Sequence, residues 1–184
     1  MNDETGRFVV VPAAYVFLLR PTATGGREVL LQLRAGTGYM DDHWAAAVAG
    51  HVERYETVFE AAAREAVEEV GVTEVALEPW CAMQRTQADH APIDERVDYF
   101  FTATAWQGEP RIVEPEKAAD LRWFDLDALP DPVVPHELQV SADEPRYLVV
   151  FHSFLACVTE EVLRACADDR IANGLGAGGD EEEG

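Results

Sequence analysis

The sequence predicts a single α/β domain in which a mixed β-sheet carries one helix in the middle of the chain and another near its end. Three observations lead to this class. Runs of β-branched, aromatic and aliphatic residues alternate with turn-rich segments along most of the 184 residues. Two stretches instead show apolar residues at helical spacing, at 58–70 and at about 145–170. The length suits one core of ordinary size, and the sequence shows no internal repeat.

The two ends of the chain differ from the middle in composition. Residues 1–7 are predicted to be a flexible N-terminus. Residues 171–184, which end in GAGGDEEEG, have the glycine and acid content of a disordered tail. The domain is therefore expected to span 8–170.

The predicted strands follow one another along the chain. A long, mostly buried strand at 7–20 is joined by the turn-forming PTATGG at 21–26 to a partner strand at 27–34, which predicts a β-hairpin. The remaining predicted strands are WAAAVAG at 44–50, then 75–86, 95–107 and LRWFDL at 121–126. Polar or proline-rich loops separate them, at 35–43, 87–94, 108–117 and 127–135.

The charge of the chain limits its partners. It has 35 Asp and Glu against 14 Lys and Arg, a formal net charge of −21. A surface of this sign repels phosphate backbones and anionic lipids, so neither a nucleic-acid polymer nor a membrane is an expected partner. A small phosphorylated ligand remains compatible if metal ions neutralise charge on both sides.

Nothing in the sequence predicts export or membrane insertion. No run approaches about 18 consecutive apolar residues, and no basic segment precedes the first apolar stretch. The three cysteines, Cys81, Cys157 and Cys166, are scattered and outside any CxxC spacing, which is typical of reduced thiols. We therefore expect a cytoplasmic protein, either a monomer or a homodimer.

The helix in the middle of the chain has clear end signals. Thr57 followed three residues later by Glu60 is a capping box, and Gly71 is a suitable left-handed stop. These signals predict a helix at 58–70. At 100° per residue one apolar stripe should pack on the sheet, formed by Phe59, Ala62, Ala63, Ala66 and Val70.

Three glutamates of this helix, Glu65, Glu68 and Glu69, stand at i, i+3 and i+4 and are expected on a separate face. Like charges at this spacing repel, and Arg64 can offset part of the repulsion by pairing with Glu60 or Glu68. Divalent cations among the carboxylates would explain the rest, and magnesium prefers such oxygen ligands. The alternative is an acidic, solvated helix face without further meaning.

The spacing of these residues matches a known motif. Gly50, five residues, Glu56, seven residues and then REAVEEVGV at 64–72 supply all the fixed letters of the Nudix box, G-x5-E-x7-R-E-U-x-E-E-x-G-U. The chain therefore resembles the Nudix hydrolases, and the flanking strands extend the resemblance over roughly 8–168. The resemblance implies an α/β/α sandwich around a mixed, partly closed β-sheet.

The resemblance also implies a reaction and residue roles. Nudix hydrolases cleave a nucleoside diphosphate linked to another group X with Mg²⁺, for which Mn²⁺ can substitute. By position in the motif, Glu68 and Glu69 resemble the principal metal ligands, and Glu65 a ligand or the base. Arg64 would orient a glutamate, and the Gly50 carbonyl would complete the metal shell. Glu56 would support the loop before the helix, through Arg64.

Residues outside the motif are weaker candidates. A further metal ligand is expected from Glu114 or Glu116, with Glu116 preferred, although neither need bind metal. Arg34 and Arg85, both at strand ends, are candidates for phosphate contacts, and Trp44 for stacking on a base; each has a structural alternative. His90 and Asp94 would approach substrate or simply lie in a solvated loop.

The leading hypothesis is an enzyme, a Mg²⁺-dependent pyrophosphohydrolase that converts a nucleoside triphosphate, ordinary, oxidised or noncanonical, to monophosphate and pyrophosphate. Its alternative within the same class acts on ADP-ribose or NADH. A different class is a Nudix-type sensor that binds a nucleotide without turnover, and the retention of every motif carboxylate counts against it. The last reading is an interaction protein whose acidic helix is only a surface.

Overall fold

The computed structural model describes residues 6–86 and 95–138. Its elements are β1 (Val11–Pro21), β2 (Arg27–Arg34), β3 (Trp44–Ala46), β4 (Val48–His51), α1 (Val58–Val70), β5 (Leu77–Arg85), β6 (Arg96–Ala103), β7 (Ala118–Asp125) and α2 (Pro135–Leu138). The predicted helix at 145–170 and the predicted tail at 171–184 lie outside the described residues. Within the described ranges, no helix is long and apolar enough to cross a bilayer.

The strands form one mixed sheet in the order β3-β2-β1-β6-β5, with β4 paired to β1 and β7 to β2. The pairing of β1 with β6 is parallel, and the other pairs are antiparallel. The predicted hairpin of the first two strands is confirmed. The described strands do not close into a barrel, and the mixed sheet with α1 packed on it agrees with the predicted fold class.

The segment WAAAVAG forms two strands and not the single one predicted. Its first half, β3, pairs with β2, and its second half, β4, pairs with the start of β1. The chain therefore changes partner at Ala47, where β1 and β2 diverge. This change delivers Ala49 and Gly50 to the central strand directly before α1.

The middle helix begins and ends as predicted. Thr57 and Glu60 make both bonds of the capping box, and Gly71 has a φ of 70°. The buried residues of α1 are Ala61, Ala62, Ala66 and Val70, so the predicted stripe was wrong at two positions. Ala63 is exposed, and Phe59 is 47% exposed although its ring meets Phe101 edge-on.

The rotation of the buried stripe changes where the glutamates lie. At 100° per residue, both Glu65 and Glu69 fall between Ala61 and Ala62. Glu65 and Glu69 are accordingly part of the face that packs on the sheet, and Glu68 lies at its edge with a side chain 54% exposed. The expectation that all three share a separate face is therefore corrected.

Candidate active site

The most buried acid of α1 is Glu69. Its carboxyl Oε2 accepts a hydrogen bond of 2.7 Å from the backbone N–H of Ala49, on β4. The pKa of Glu69 is raised from 4.5 to about 8, mainly by burial of the carboxyl group, with smaller contributions from the charges of Glu65 and Glu114. A buried carboxylate in this position favours a neighbouring cation, because a positive charge would offset the lost hydration.

Glu65 packs directly on the backbone of Gly50. A Cβ atom added at Gly50 would overlap the Glu65 carboxyl group, so no larger residue fits there while Glu65 keeps this position. Burial raises the pKa of Glu65 above its ordinary value, although the bond from Arg64 opposes this shift. The motif glycine is thus required by the close approach of a helix carboxyl group to β4.

Arg64 connects the start of the helix to the loop before it. Its guanidinium donates to both carboxyl oxygens of Glu56, at 2.9 and 3.0 Å, and to the backbone carbonyl of His51 at 3.0 Å. It also donates to Glu65 at 2.6 Å and to Glu68 at 3.0 Å. Glu60 is not a partner, because its carboxyl group is used in the capping box with Thr57. Arg64 therefore contacts three of the motif carboxyl groups at once.

The segment before β7 brings one further acid toward the helix. The charge of Glu114 raises the pKa values of both Glu65 and Glu69, and Glu114 pairs with Lys117 at 2.9 Å. Glu116 is exposed. The backbone N–H of Val113 donates to the carbonyl of Glu69 at 3.1 Å, which anchors this segment to the end of α1. The charge of Glu114 thus acts on the two helix carboxyl groups, whereas Glu116, the residue that the sequence favoured, is not among the charges that shift their pKa values.

The donor set suits a hard divalent cation. Three carboxyl groups and a backbone carbonyl are oxygen ligands of the kind that Mg²⁺ prefers, and one of them, on Glu69, is buried. Among the described residues, no three His, Cys, Asp or Glu side chains are arranged closely enough to hold a cation without rearrangement. Arg64 instead bridges Glu65 and Glu68. The residues that could hold a metal are thus Glu65, Glu68, Glu69 and Gly50, with Glu114 nearby.

A pocket of about 160 Å³ adjoins these residues. It is lined by Tyr15, Arg34, Tyr39, Ala49, Gly50, His51, Arg96, Val134, His136 and Glu137. Ala49 and Gly50 belong both to this pocket and to the carboxylate site, because Glu69 binds the first and Glu65 covers the second. The backbone of Ala49 and Gly50 therefore lies between the pocket and the carboxylate site.

The structure separates the three residues that the sequence proposed for substrate contacts. Arg34 lines the pocket, where it donates to the Tyr39 carbonyl and to Thr37 Oγ1, both at 3.1 Å. Arg85 is not among the lining residues and pairs with buried Asp98. Trp44 is 9% exposed and packs edge-on against Phe124, so its structural alternative, a core residue, is the one observed. His90 and Asp94 lie outside the described residues.

Several lining residues were not found from the sequence, namely Tyr15, Arg96, His136 and Glu137. Glu137 is buried, accepts a hydrogen bond from the Ala46 N–H and has its pKa raised to about 7 by burial. Burial and three arginines lower the pKa of His136 to about 3. A signal did exist for Arg96, because RVD places two charges at alternate positions at the start of an otherwise apolar strand.

Comparison with known proteins identifies the family of the chain. The NUDIX domain family model matches residues 10–147. A MutT NUDIX hydrolase from Burkholderia pseudomallei is 30% identical, with a TM-score of 0.55 over 67% of this chain and 92% of its own. None of the curated proteins compared with the chain matches it.

Two further solved structures share the fold at lower identity. The NUDIX domain of NrtR from Shewanella oneidensis, solved with ADP ribose, is 17% identical, with a TM-score of 0.58 over 74% of this chain and 87% of its own. An Ap4A hydrolase from C. elegans is 23% identical, with a TM-score of 0.56 over 80% of this chain and 98% of its own. On the family match, the complete motif and the related hydrolase structure, the chain belongs to the Nudix family and is a Nudix hydrolase.

Proposed function

We propose that the chain hydrolyses a diphosphate bond in a nucleoside diphosphate linked to a group X, with Mg²⁺ as cofactor and Mn²⁺ as a substitute. The leading substrate is a nucleoside triphosphate, ordinary, oxidised or noncanonical, which would yield a monophosphate and pyrophosphate. The observation that carries the proposal is the Glu69 carboxyl group, shielded from water and bonded to the backbone of Ala49, a residue that also lines a pocket with Arg34 and Arg96.

Glu65, Glu68 and Glu69 are the proposed metal ligands, together with the Gly50 carbonyl. Mg²⁺ held there would neutralise phosphate charge and make a water molecule more nucleophilic. Glu114 is a candidate for an additional ligand because its charge acts on Glu65 and Glu69, and the preference of the sequence for Glu116 stays a prediction. The raised pKa values of Glu65 and Glu69 support the proposal, because desolvation of each carboxyl group outweighs the contacts that stabilise its charge, and a cation would offset that desolvation.

Residues of the chain would carry out proton transfer, hold the glutamates in position and contact the phosphate chain. Glu65 would accept the proton of the attacking water, since its burial makes it a stronger base than an exposed glutamate. Arg64 would hold Glu65 and Glu68 in place, and Glu56 would fix Arg64 through two hydrogen bonds. Arg34 would contact the phosphate chain, while Arg85 would act only behind Asp98.

Two alternatives use the same residues. Cleavage of ADP-ribose or NADH would need the neutral sugar to occupy the pocket. A sensor would bind a nucleotide without turnover, as a NUDIX domain can be solved with ADP ribose bound. The complete set of motif carboxyl groups favours catalysis over sensing. Cytoplasmic location and a monomeric or homodimeric state stay predictions.

A substrate panel tests the proposal. The purified chain is incubated with ordinary and oxidised triphosphates, ADP-ribose, NADH and a diadenosine polyphosphate, each with and without Mg²⁺, and the products are separated by anion-exchange chromatography. We expect the chain to convert a triphosphate to a monophosphate and pyrophosphate, and to do so only when metal is added. Turnover confined to ADP-ribose or NADH would select the alternative substrate, and tight binding without any turnover would select the sensor.

A further inference from the structure

A buried ion cluster forms one wall of the pocket. Asp98, on β6, is fully buried, and its two carboxyl oxygens accept from two different arginines, Arg85 and Arg96. Both arginine side chains are largely buried, 11% and 15% exposed. One carboxylate therefore holds two guanidinium groups, and this grouping carries a net positive charge.

Arg96 is the member of this cluster that reaches the pocket. Its Nε donates to Asp98 Oδ1 at 3.2 Å, and its Nη2 lies 3.4 Å from the Tyr15 hydroxyl. The Tyr15 hydroxyl in turn lies 3.3 Å from Nε2 of His136. Arg96, Tyr15 and His136 all line the pocket, whereas Asp98 and Arg85 stand behind it. The guanidinium of Arg96 is thus fixed from two sides.

The charged groups at this wall of the pocket are mostly positive, whereas the chain as a whole is acidic. Arg34 lines the same pocket, so three guanidinium groups act there against two carboxyl groups, Asp98 and Glu137. His136 adds no positive charge at neutral pH, because its pKa is lowered to about 3. These five groups together carry a charge of +1 when both acids are ionised, in a chain of net charge −21. A partly buried, pre-arranged positive wall suits an anionic group.

We propose that Arg96 binds a phosphate of the substrate beyond the two nearest the metal ligands, and that Asp98 is the residue that positions it. The inference rests on the proposed function and narrows it: the group X is itself a phosphate, so that a nucleoside triphosphate is preferred to a diphosphate joined to a neutral sugar. Arg85 acts through Asp98 and does not touch substrate.

The test compares Arg96→Gln and Arg96→Lys with the wild-type chain, on a nucleoside triphosphate and on ADP-ribose. Loss of one charged hydrogen bond should raise KM for the triphosphate by about tenfold to a hundredfold in Arg96→Gln, with kcat within about threefold. KM for ADP-ribose should change less than about threefold, and Arg96→Lys should recover part of the loss. Arg20→Gln, which removes an exposed arginine paired with Glu28, is the matched control.

An equal rise of KM for both substrates, or an unchanged KM for the triphosphate, would overturn the assignment. Asp98→Asn should also raise KM for the triphosphate. If this variant does not fold, the Arg96 variants alone test the assignment. Binding of inorganic tripolyphosphate, measured by calorimetry without added metal, separates this inference from the proposed function. If the wild type binds it and Arg96→Gln binds at least about tenfold more weakly, the inference holds even without turnover; equal binding by both would refute it.

Discussion

The Glu69 carboxyl group lies 2.7 Å from the backbone nitrogen of Ala49, one residue before Gly50. This contact attaches the acidic edge of α1 to β4, so helix side chains and strand backbone form one wall. Because Glu69 is buried, the site holds a carboxyl group whose ionised form is disfavoured until a cation lies beside it. We therefore expect the Glu69 carboxyl group to lower the stability of the metal-free chain, although the activity of the metal-bound chain depends on it.

The variant Glu69→Gln tests these opposite effects on stability and on activity. The amide keeps the shape and can still accept from Ala49, so the free energy of unfolding without metal should not fall by more than about 1 kcal/mol. Activity should fall by more than about 100-fold, since even residues outside the ligand shell cost 10–100-fold. Steady-state rates and urea titrations give both quantities, with Glu53→Gln as the control on an exposed acid. Full activity of Glu69→Gln at saturating Mg²⁺ would exclude the ligand assignment.

Gly50→Ala should inactivate the enzyme through Glu65. The new methyl group would occupy the place of the Glu65 carboxyl group and displace it. If this is the whole effect, Gly50→Ala added to Glu65→Ala should cost less than about 0.5 kcal/mol of transition-state stabilisation beyond Glu65→Ala alone. The measurement is kcat/KM for the two single variants and the double variant. Fully additive losses would show that Gly50 acts independently of Glu65.

Arg64→Lys should be damaging even though it keeps the charge. Lysine cannot donate to both oxygens of Glu56 while also reaching Glu65 and Glu68. We expect a loss of about 1.5–3 kcal/mol in the free energy of unfolding. Arg122→Lys is the matched control, because Arg122 is 64% exposed and its pair with Asp120 should contribute less than about 1 kcal/mol. Equal effects of the two substitutions would contradict the role given to Arg64.

Glu137 predicts a pH dependence of stability. Burial raises its pKa from 4.5 to about 7, so the folded chain binds this proton more tightly than the unfolded chain. Its contribution to the free energy of unfolding is therefore full below pH 4.5 and is lost as the pH rises to about 7. As the pH rises across this range, the free energy of unfolding of Glu137→Gln should increase relative to that of the wild type, by up to roughly 3 kcal/mol. Denaturant titrations at several pH values measure the difference, and a difference independent of pH would contradict the shift.

Local signals explain why both ends of α1 could be predicted from the sequence at the exact residues. Its boundaries are set by Thr57, Glu60 and Gly71, which act within one turn of the chain. The rotation of the helix was less accessible, because Ala61 and Ala63 differ only in which of them meets the sheet. The partial burial of Glu65 and Glu69 follows from that contact, and sequence periodicity alone favoured exposing them with Glu68.

The pocket could not be assembled from local pattern. Tyr15 and His136 are 121 positions apart and meet because the start of β1 and the helix α2 converge beside β4. Tyr15 lies in an apolar strand, where an aromatic residue is expected in the core. The Nudix motif therefore located the carboxylates, while the residues proposed to choose the substrate depend on long-range strand pairing such as that of β1 with β6.

The central claim is that the glutamates of α1 hold the divalent cation on which hydrolysis depends. Titration of the metal-free chain with Mg²⁺ by isothermal calorimetry, in parallel with Glu69→Gln, tests it most directly. We expect saturable binding by the wild type, with release of a proton at pH 7 from Glu69, whose pKa is raised to about 8, and at least about 100-fold weaker binding by the variant. Equal Mg²⁺ binding by the two proteins would show that the cation lies elsewhere.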